Sequence, residues 1–348
     1  MSVFSIPDFD SHEQVVFASE PESGLRAIIA IHDSSRGPAL GGCRMWQYVT
    51  EAEAVRDVLR LSRGMTYKNA MADLPFGGGK SVIIGDARTG KTPELMAAMG
   101  RAVDRLNGRY IIAEDVGTSV GDMAVIRNVT PYVAGLAEGG SGDPSPATAY
   151  GVFMGIRAAV SWRLRRNALD GLRVNVQGLG NVGWHLCRHL ADQGVRLTVT
   201  DIRPEKVERA ADEFRATPVA PDAIFDAEGD VFAPCALGAV INDATLPRLK
   251  VAVVAGSANN QLAENCHGAG LTERGILYAP DYVINAGGVI NISYERQGDG
   301  ARYDREAAFA HVGRIHDTLL TIFSRAERDR VPTSLAADRI AEERFRAH

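Results

Sequence analysis

The chain has 348 residues, 45% of them hydrophobic and 23% charged, with a formal net charge of -5. At roughly 150 residues per domain, that length supports about two separate cores. The acidic balance argues against nucleic acid or an anionic membrane as partner, and no run approaches the ~18 apolar residues of a membrane span, so small metabolites remain.

The opening Met1-Ser-Val-Phe-Ser-Ile-Pro7 has no basic stretch followed by an apolar run, so no signal peptide is expected and the location is expected to be cytoplasmic. Leu25 to His32 predicts a strand, and Gly37-Pro38-Ala39-Leu40-Gly41-Gly42 predicts a glycine-rich loop. Thr50 with Glu53 has the spacing of a capping box, and Val55, Val58, Leu59 and Ser62 continue at helical spacing to about Lys68. Leu74-Pro-Phe-Gly-Gly-Gly-Lys80 then leads into a strand, Ser81–Ile84. Thr92-Pro93 caps a helix to about Asn107, and Arg109–Glu114 is a strand that delivers Asp115 into a loop.

Turn formers crowd Gly139–Pro146 and suggest a boundary there, with domains over 1–140 and 141–332. A terminal helix, read at Leu335–Arg344 within 333–348, could pack back on the first domain. Beyond the boundary a helix (151–166), a strand (172–177), a helix (183–193) and a strand (196–200) alternate, and short apolar strands recur at 230–234, 251–254 and 276–278. The fold class expected is α/β, with a doubly wound parallel sheet in the C-terminal domain. The four cysteines are widely spaced and form no CxxC pair, which fits a reducing compartment and argues against structural zinc; no metal site is expected.

Gly178-Leu179-Gly180-Asn181-Val182-Gly183 matches GxGxxG in the right setting, directly after one strand and opening a helix. The glycines allow a tight turn, close backbone approach to a pyrophosphate and close helix–strand packing, while the helix N-terminus offers free N–H groups. Asp201 ends the next strand, where a carboxylate accepts hydrogen bonds from ribose hydroxyls and repels a 2′-phosphate, so NAD is expected over NADP. Arg203, two residues on, could soften that preference.

Only five of the 38 basic residues are lysine, namely Lys68, Lys80, Lys91, Lys206 and Lys250. A chain that makes its surface charge from arginine could retain lysine where proton loss matters. Lys68 and Lys80 bracket a glycine-rich segment. Either the two ammonium groups converge, one holding a carboxylate and the other lowered in pKa to act as a base, or they are unrelated solvated lysines. A rival lies in Gly85-Asp-Ala-Arg-Thr-Gly90-Lys91-Thr92, which matches GxxxxGK[ST] and would make the chain a P-loop NTPase. Against it, Pro93 pushes Thr92 away from helical angles, which makes Thr92 an N-cap and leaves Lys91 outside the helix.

Together the segments Ile31-His-Asp33, Gly37–Gly42, Arg44-Met-Trp46, Arg63–Asn69, Gly77-Gly-Gly-Lys80, Leu106–Tyr110, Ala113–Gly117, Gly142–Pro146, Phe232–Gly238, Asn260-Gln-Leu262 and Tyr278–Asn291 resemble the glutamate, leucine, phenylalanine and valine dehydrogenases, nearest their leucine branch. The resemblance covers nearly the whole chain. It implies two domains separated by a cleft, an N-terminal substrate and oligomerisation domain and a C-terminal Rossmann domain that binds NAD. It implies that Lys68 binds the substrate carboxylate with Gly41, Gly42, Met65 and Asn260, that Lys80 activates water, and that Asp115 shuttles protons. Thr148, Cys235, Ala236, Ala255 and Asn285 would join the glycine loop around the cofactor. Leu40, Ala113, Val289 and Ile292 would line the side-chain pocket; none is cationic, so a γ-carboxylate would be left unpaired and an aliphatic substrate is expected. The implied reaction is reversible oxidative deamination of leucine, isoleucine or valine, the alternatives being phenylalanine, valine or tryptophan dehydrogenase and a sensor without turnover. The implied assembly is a homo-oligomer, with an octamer as candidate size. Two positions depart from the pattern, Cys43 and the segment Ser293–Gly300.

Overall fold

The first long helix begins where its cap chemistry puts it. The Thr50 hydroxyl accepts the Glu53 N–H at 3.2 Å, and the Glu53 carboxylate reaches back to the Val49 N–H at 3.1 Å. The computed structural model describes residues 3–137, 140–295 and 303–347. They form two compact units: Met1–Asp143 with Ile292–Arg305 and Ala341–His348, and Pro144–Asn291 with Glu306–Ile340.

The first unit runs β1 (Gln14–Glu20), β2 (Leu25–Asp33), β3 (Ala39–Trp46), α1 (Glu51–Met71), β4 (Gly77–Ile84), α2 (Pro93–Asp104), β5 (Tyr110–Glu114) and α3 (Val120–Arg127). Its mixed sheet has the order β1-β2-β4-β3-β5; β2 is antiparallel to β1 and β4, while β3 is parallel to β4 and β5. Alternation along β2 splits its side chains between two cores. Ile28 and Ala30 join Val55, Val58 and Leu59 of α1, whereas Ile29 and Ile31 join Met96, Met99 and Val103 of α2.

Two local expectations change. Residues 39–42, expected as loop, are the first half of β3, and 77–80 already belong to β4, so Lys80 sits on a strand. The glycines are there because the neighbours leave no room: a Cβ on Gly41 would stand 1.8 Å from the Gly79 carbonyl oxygen. Glycine in a strand marks such a close approach of backbones.

The second unit holds α4 (Ser145–Leu164), β6 (Arg173–Gln177), α5 (Asn181–Ala191), β7 (Arg196–Thr200), α6 (Pro204–Phe214), β8 (Thr217–Pro218), β9 (Val231–Pro234), β10 (Val253–Val254), α7 (Cys266–Glu273), β11 (Leu277–Tyr278) and α8 (Asp281–Ile284). Then come α9 (Gly287–Ser293), α10 (Arg305–Gly313), α11 (Ile315–Asp329) and α12 (Thr333–Arg346). The sheet is parallel throughout, in the order β11-β10-β9-β6-β7-β8, so the direction of winding reverses beside β6. In such sheets ligands bind at the C-terminal strand ends beside the reversal.

The domain limits differ from 1–140 and 141–332. The first break falls at Asp143/Pro144, and the chain re-enters the first unit at Ile292–Arg305 and Ala341–His348. The last turns are held there by contacts no local pattern announces. The Phe345 ring packs 5.3 Å from that of Tyr67, the Tyr67 hydroxyl donates to Glu342 at 2.8 Å, and Arg344 donates to the Ala70 and Met71 carbonyls that end α1. Of the departing segment Ser293–Gly300, residues 296–300 lie outside the described residues.

Candidate active site

Parallel pairing of β3 with β4 and β5 assembles the first unit's site. Register sets Leu40 opposite Gly78 and Ile111, and Gly42 opposite Ala113. Thr66 of α1 lies directly over Gly78, where an added Cβ would stand 2.0 Å from the Thr66 nitrogen. Asn69 donates to the carbonyls of Leu40 and Gly77 at 3.4 and 2.7 Å. The turn of α1 that carries Met65 and half-buried Lys68 is thereby pinned over the start of β3 and β4; Met65 Cγ would lie 3.4 Å from a Cβ on Gly41.

Lys80 and Asp115, 35 positions apart in sequence, meet at 2.8 Å (Nζ to Oδ2), with the Lys80 side chain 7% exposed. Asp115 stands against Gly42, where an added Cβ would be 2.8 Å from its own Cβ. Burial by itself would raise the Asp115 carboxyl, but Lys80 and Arg44 outweigh it and hold the group at about 2. Glu114, the preceding residue, goes the other way: burial, with Asp143 and Asp115 nearby, raises it. The loop after Asp115 is braced by Thr118, whose hydroxyl donates to the Cys43 carbonyl at 2.8 Å and accepts the Asp115 N–H at 3.0 Å. Cys43 itself is buried, and burial pushes its thiol up to about 12, so it is an inert packing residue here.

Sequence reasoning missed the group beside this pair. Arg44 donates from Nε to Asp115 Oδ2 at 3.1 Å and from a terminal nitrogen to Asp57 Oδ2 at 2.9 Å. The Tyr48 hydroxyl donates to the same Asp57 oxygen at 2.7 Å. A signal exists: Gly42 and Arg44 are two apart on one strand and so share a face. What the sequence lacked was the register that brings Asp115 to that face.

Lys91 is not a phosphate ligand. Its ammonium donates to Asp122 at 2.8 Å and to the Gly117 carbonyl at 3.2 Å, tying α3 to the Asp115 loop. Thr92 caps α2 by accepting the Leu95 N–H, and Pro93 occupies its first turn, so the P-loop reading fails for the reason its proline suggested.

Of the other expected pocket residues, Leu40 and Ala113 are buried in the first unit, and Ile292 Cδ1 would lie 3.8 Å from a Cβ on Gly135. Asn260 and Val289 belong to the second unit. Asn260 is exposed, with a left-handed φ of 50°.

In the second unit the turn at Gly178 has φ of 97°, and a Cβ there would strike Ala236 at 2.8 Å. At Gly183 a Cβ would stand 2.0 Å from the Gly178 carbonyl oxygen, whereas at Gly180 it would meet nothing within 4 Å. The outer two glycines close the turn, and the middle one leaves bare backbone facing open space. Asn181 and Val182 follow it in the first turn of α5. Asp201 accepts the Leu179 N–H at 2.7 Å and the Arg203 N–H at 3.0 Å, which fixes its carboxylate beside the loop. Lys206 donates to the Leu179 carbonyl at 2.8 Å. The Cys235 N–H donates to the Gln177 carbonyl at 2.7 Å, and the Ala255 N–H to the Phe232 carbonyl at 2.9 Å, placing both residues at strand ends. Asn285 donates to Ser257 and Asn259 but leaves its buried Oδ1 without a partner. The Thr148 hydroxyl donates to the Pro144 carbonyl at 2.9 Å and would be 2.8 Å from a Cβ on Gly288. The open backbone at Gly180 and the orphaned acceptor of Asn285 both fit a dinucleotide.

The Glu/Leu/Phe/Val dehydrogenase dimerisation domain model matches residues 12–132, and the Glutamate/Leucine/Phenylalanine/Valine dehydrogenase model matches 139–203 and 196–345. The chain belongs to the Glu/Leu/Phe/Val dehydrogenase family. It is 55% identical to the leucine dehydrogenase of Geobacillus stearothermophilus over 99% of this chain and 94% of that enzyme. It is 48% identical to the valine dehydrogenase of Streptomyces virginiae over 97% of this chain and 95% of that one. The crystal structure of L-tryptophan dehydrogenase from Nostoc punctiforme superposes with a TM-score of 0.85 at 48% identity, over 97% of this chain and 96% of that one. As a member of this family the protein is a pyridine-nucleotide-dependent amino-acid dehydrogenase. No helix among the described residues is long and apolar enough to cross a membrane.

Proposed function

We propose that the protein oxidatively deaminates a branched-chain L-amino acid, leucine together with isoleucine and valine, to the 2-oxo acid and ammonia, reversibly and with NAD. The observation that carries this reading is the Lys80–Asp115 pair at 2.8 Å, with uncharged Leu40 and Ala113 at nearby positions of the adjoining strands β3 and β5. A substrate γ-carboxylate against those two side chains would lose its water and gain no partner. The Leu dehydrogenase relative points to the same substrate class.

A bound dinucleotide would supply the acceptor for a hydride from the substrate α-carbon. Gly178 to Gly183 would cradle its pyrophosphate, Asp201 its ribose, and Thr148, Cys235, Ala236, Ala255 and Asn285 the remainder. Asp201 at the end of β7 disfavours a 2′-phosphate, which supports NAD. Lys68 on α1 would offer a point charge to the substrate carboxylate, with Gly41, Gly42 and Met65 of the same unit beside it. Asp115 accepts a proton from the substrate ammonium group, so that the nitrogen lone pair can assist hydride departure. Lys80 then takes a proton from water as its oxygen attacks the imino carbon; Asp115 returns its proton to the nitrogen, which leaves as ammonia as the C–N bond breaks, and the remaining hydroxyl proton passes to Asp115 as the carbonyl forms.

A homo-oligomer is part of this reading, supported by the dimerisation domain match, with an octamer as its candidate size, and so is a cytoplasmic location. A panel of amino acids against NAD and NADP, followed by absorbance of the reduced cofactor, tests it. Aliphatic substrates with NAD should lead, and Lys80→Ala should bind NAD yet turn over nothing. Strong preference for tryptophan, phenylalanine or glutamate would overturn the substrate assignment.

A further inference from the structure

We propose that Arg44 is a positioning residue for this reaction: clamped between Asp57 and Asp115, it fixes where the Asp115 carboxylate stands and shares that carboxylate's charge with Lys80. The proposal rests on the reading of Asp115 as the proton carrier.

Both cations meet the same atom. Asp115 Oδ2 takes Lys80 at 2.8 Å and Arg44 Nε at 3.1 Å. The other end of the guanidinium is anchored on Asp57, whose side chain is 13% exposed on α1 and is itself held by the Tyr48 hydroxyl and by Arg60. Arginine suits this bridge because its planar fork presents donors in fixed directions. A lysine ammonium at 44 could serve one carboxylate but not hold both at these distances.

Loss of the guanidinium would fall on the Asp115 carboxylate. With Arg44 present, Asp115 Oδ2 is shared by two cations, and both hold its carboxyl at about 2 against the effect of burial. Without Arg44 the Asp115 carboxylate loses one of the two cations that lower it and becomes easier to protonate, and the guanidinium no longer fixes its position. The other groups around Asp115 cannot replace the guanidinium. From β3 there is the buried neutral thiol of Cys43, from β5 the Glu114 carboxyl and the Tyr110 phenol, and beyond Arg44 the acidic Asp57 and the Tyr48 phenol. Lys91 is committed to Asp122 and to the Gly117 carbonyl, and Lys68 lies on α1. Arg44 is also the group through which Asp57, remote in the chain from the reacting pair, becomes part of its electrostatics.

The test uses the full-length enzyme with Arg44→Gln, Arg44→Lys and, as reference, Asp115→Asn, and measures kcat, amino-acid KM and the pH profile of kcat/KM. Arg44→Gln should lower kcat by about tenfold or more, leave KM within about twofold and move the acidic limb toward higher pH. Arg44→Lys should keep that limb in place and recover only part of kcat. A fall in melting temperature with kcat and the acidic limb unchanged in Arg44→Gln makes Arg44 merely structural and overturns the proposal. If Arg44→Gln does not fold, Arg44→Lys decides: wild-type kcat overturns the proposal, and reduced kcat with an unmoved limb supports it. Full activity in Asp115→Asn would instead sink the proton-carrier reading on which the proposal stands, a failure distinct from that of Arg44.

Discussion

Replacing Gly42 by alanine places one methyl group where the structure has no space for it. An added Cβ would lie 2.6 Å from the Glu114 carbonyl oxygen and 2.8 Å from Asp115 Cβ, whereas ordinary contact begins at 3.4 Å. Neither neighbour is the flexible end of a long side chain, so relief requires moving the β5 end or Asp115 itself by about 0.6–0.8 Å, the difference between those distances. The position is ordinary extended strand, so the effect is steric and not a backbone preference. Overpacking of this kind costs roughly 1–3 kcal/mol of stability. A displacement near 1 Å in a reacting group costs on the order of 100-fold in rate. Gly42→Ala should therefore lower kcat about 10- to 100-fold while the protein still folds, read by initial rates of reduced-cofactor formation alongside a thermal melt. Rates within twofold of wild type, in a protein that melts normally, would show that the position of Asp115 does not control the reaction.

Gly180→Ala is the counterpart in the second unit. A Cβ there meets nothing within 4 Å, so the melting temperature should stay unchanged while the dinucleotide KM rises by about tenfold or more, because the methyl occupies the approach of the pyrophosphate; an unchanged KM would place the phosphates elsewhere. Stability should also fall on mild acidification. Burial, with His12 adding to it, lowers His32 from its ordinary 6.5 to about 4. The folded protein keeps that ring neutral while the unfolded chain protonates it, so the contribution is fully present above 6.5 and is lost as pH falls from there toward 4. The loss amounts to about 2 kcal/mol by pH ~5. His12, lowered by the same burial, acts in the same direction. Denaturant titrations at neutral pH and at pH ~5 should show this slope in the wild type and a shallower one in His32→Gln; equal slopes would refute it.

Much of what the sequence by itself determined is local. Thr50 with Glu53, Thr92 with Pro93, and the turn at Gly178–Gly183 each rest on hydrogen bonds or steric limits spanning a few residues, and each forms where the pattern puts it. Apolar strands such as 25–32 and 196–200 declare themselves through burial on both faces. Where that signal is weak the elements go unread: β1 is a half-buried edge strand, and α6 buries only Ala210. The helix over 315–329 does carry an apolar spacing, at Ile315, Leu319, Ile322, Phe323 and Ala326, and was readable on the same grounds as α1. Tertiary structure alone decided the rest. Glycines that look like loop at 39–42 are strand because a neighbouring backbone occupies the space of their side chains. The return of the last turns of α12 to the first unit depends on Tyr67 and Arg36, some 300 positions earlier. The meeting of Lys80, Asp115 and Arg44 depends on three strands pairing in one register, and register is set by how whole sheets bury their faces, which no stretch of a few residues records.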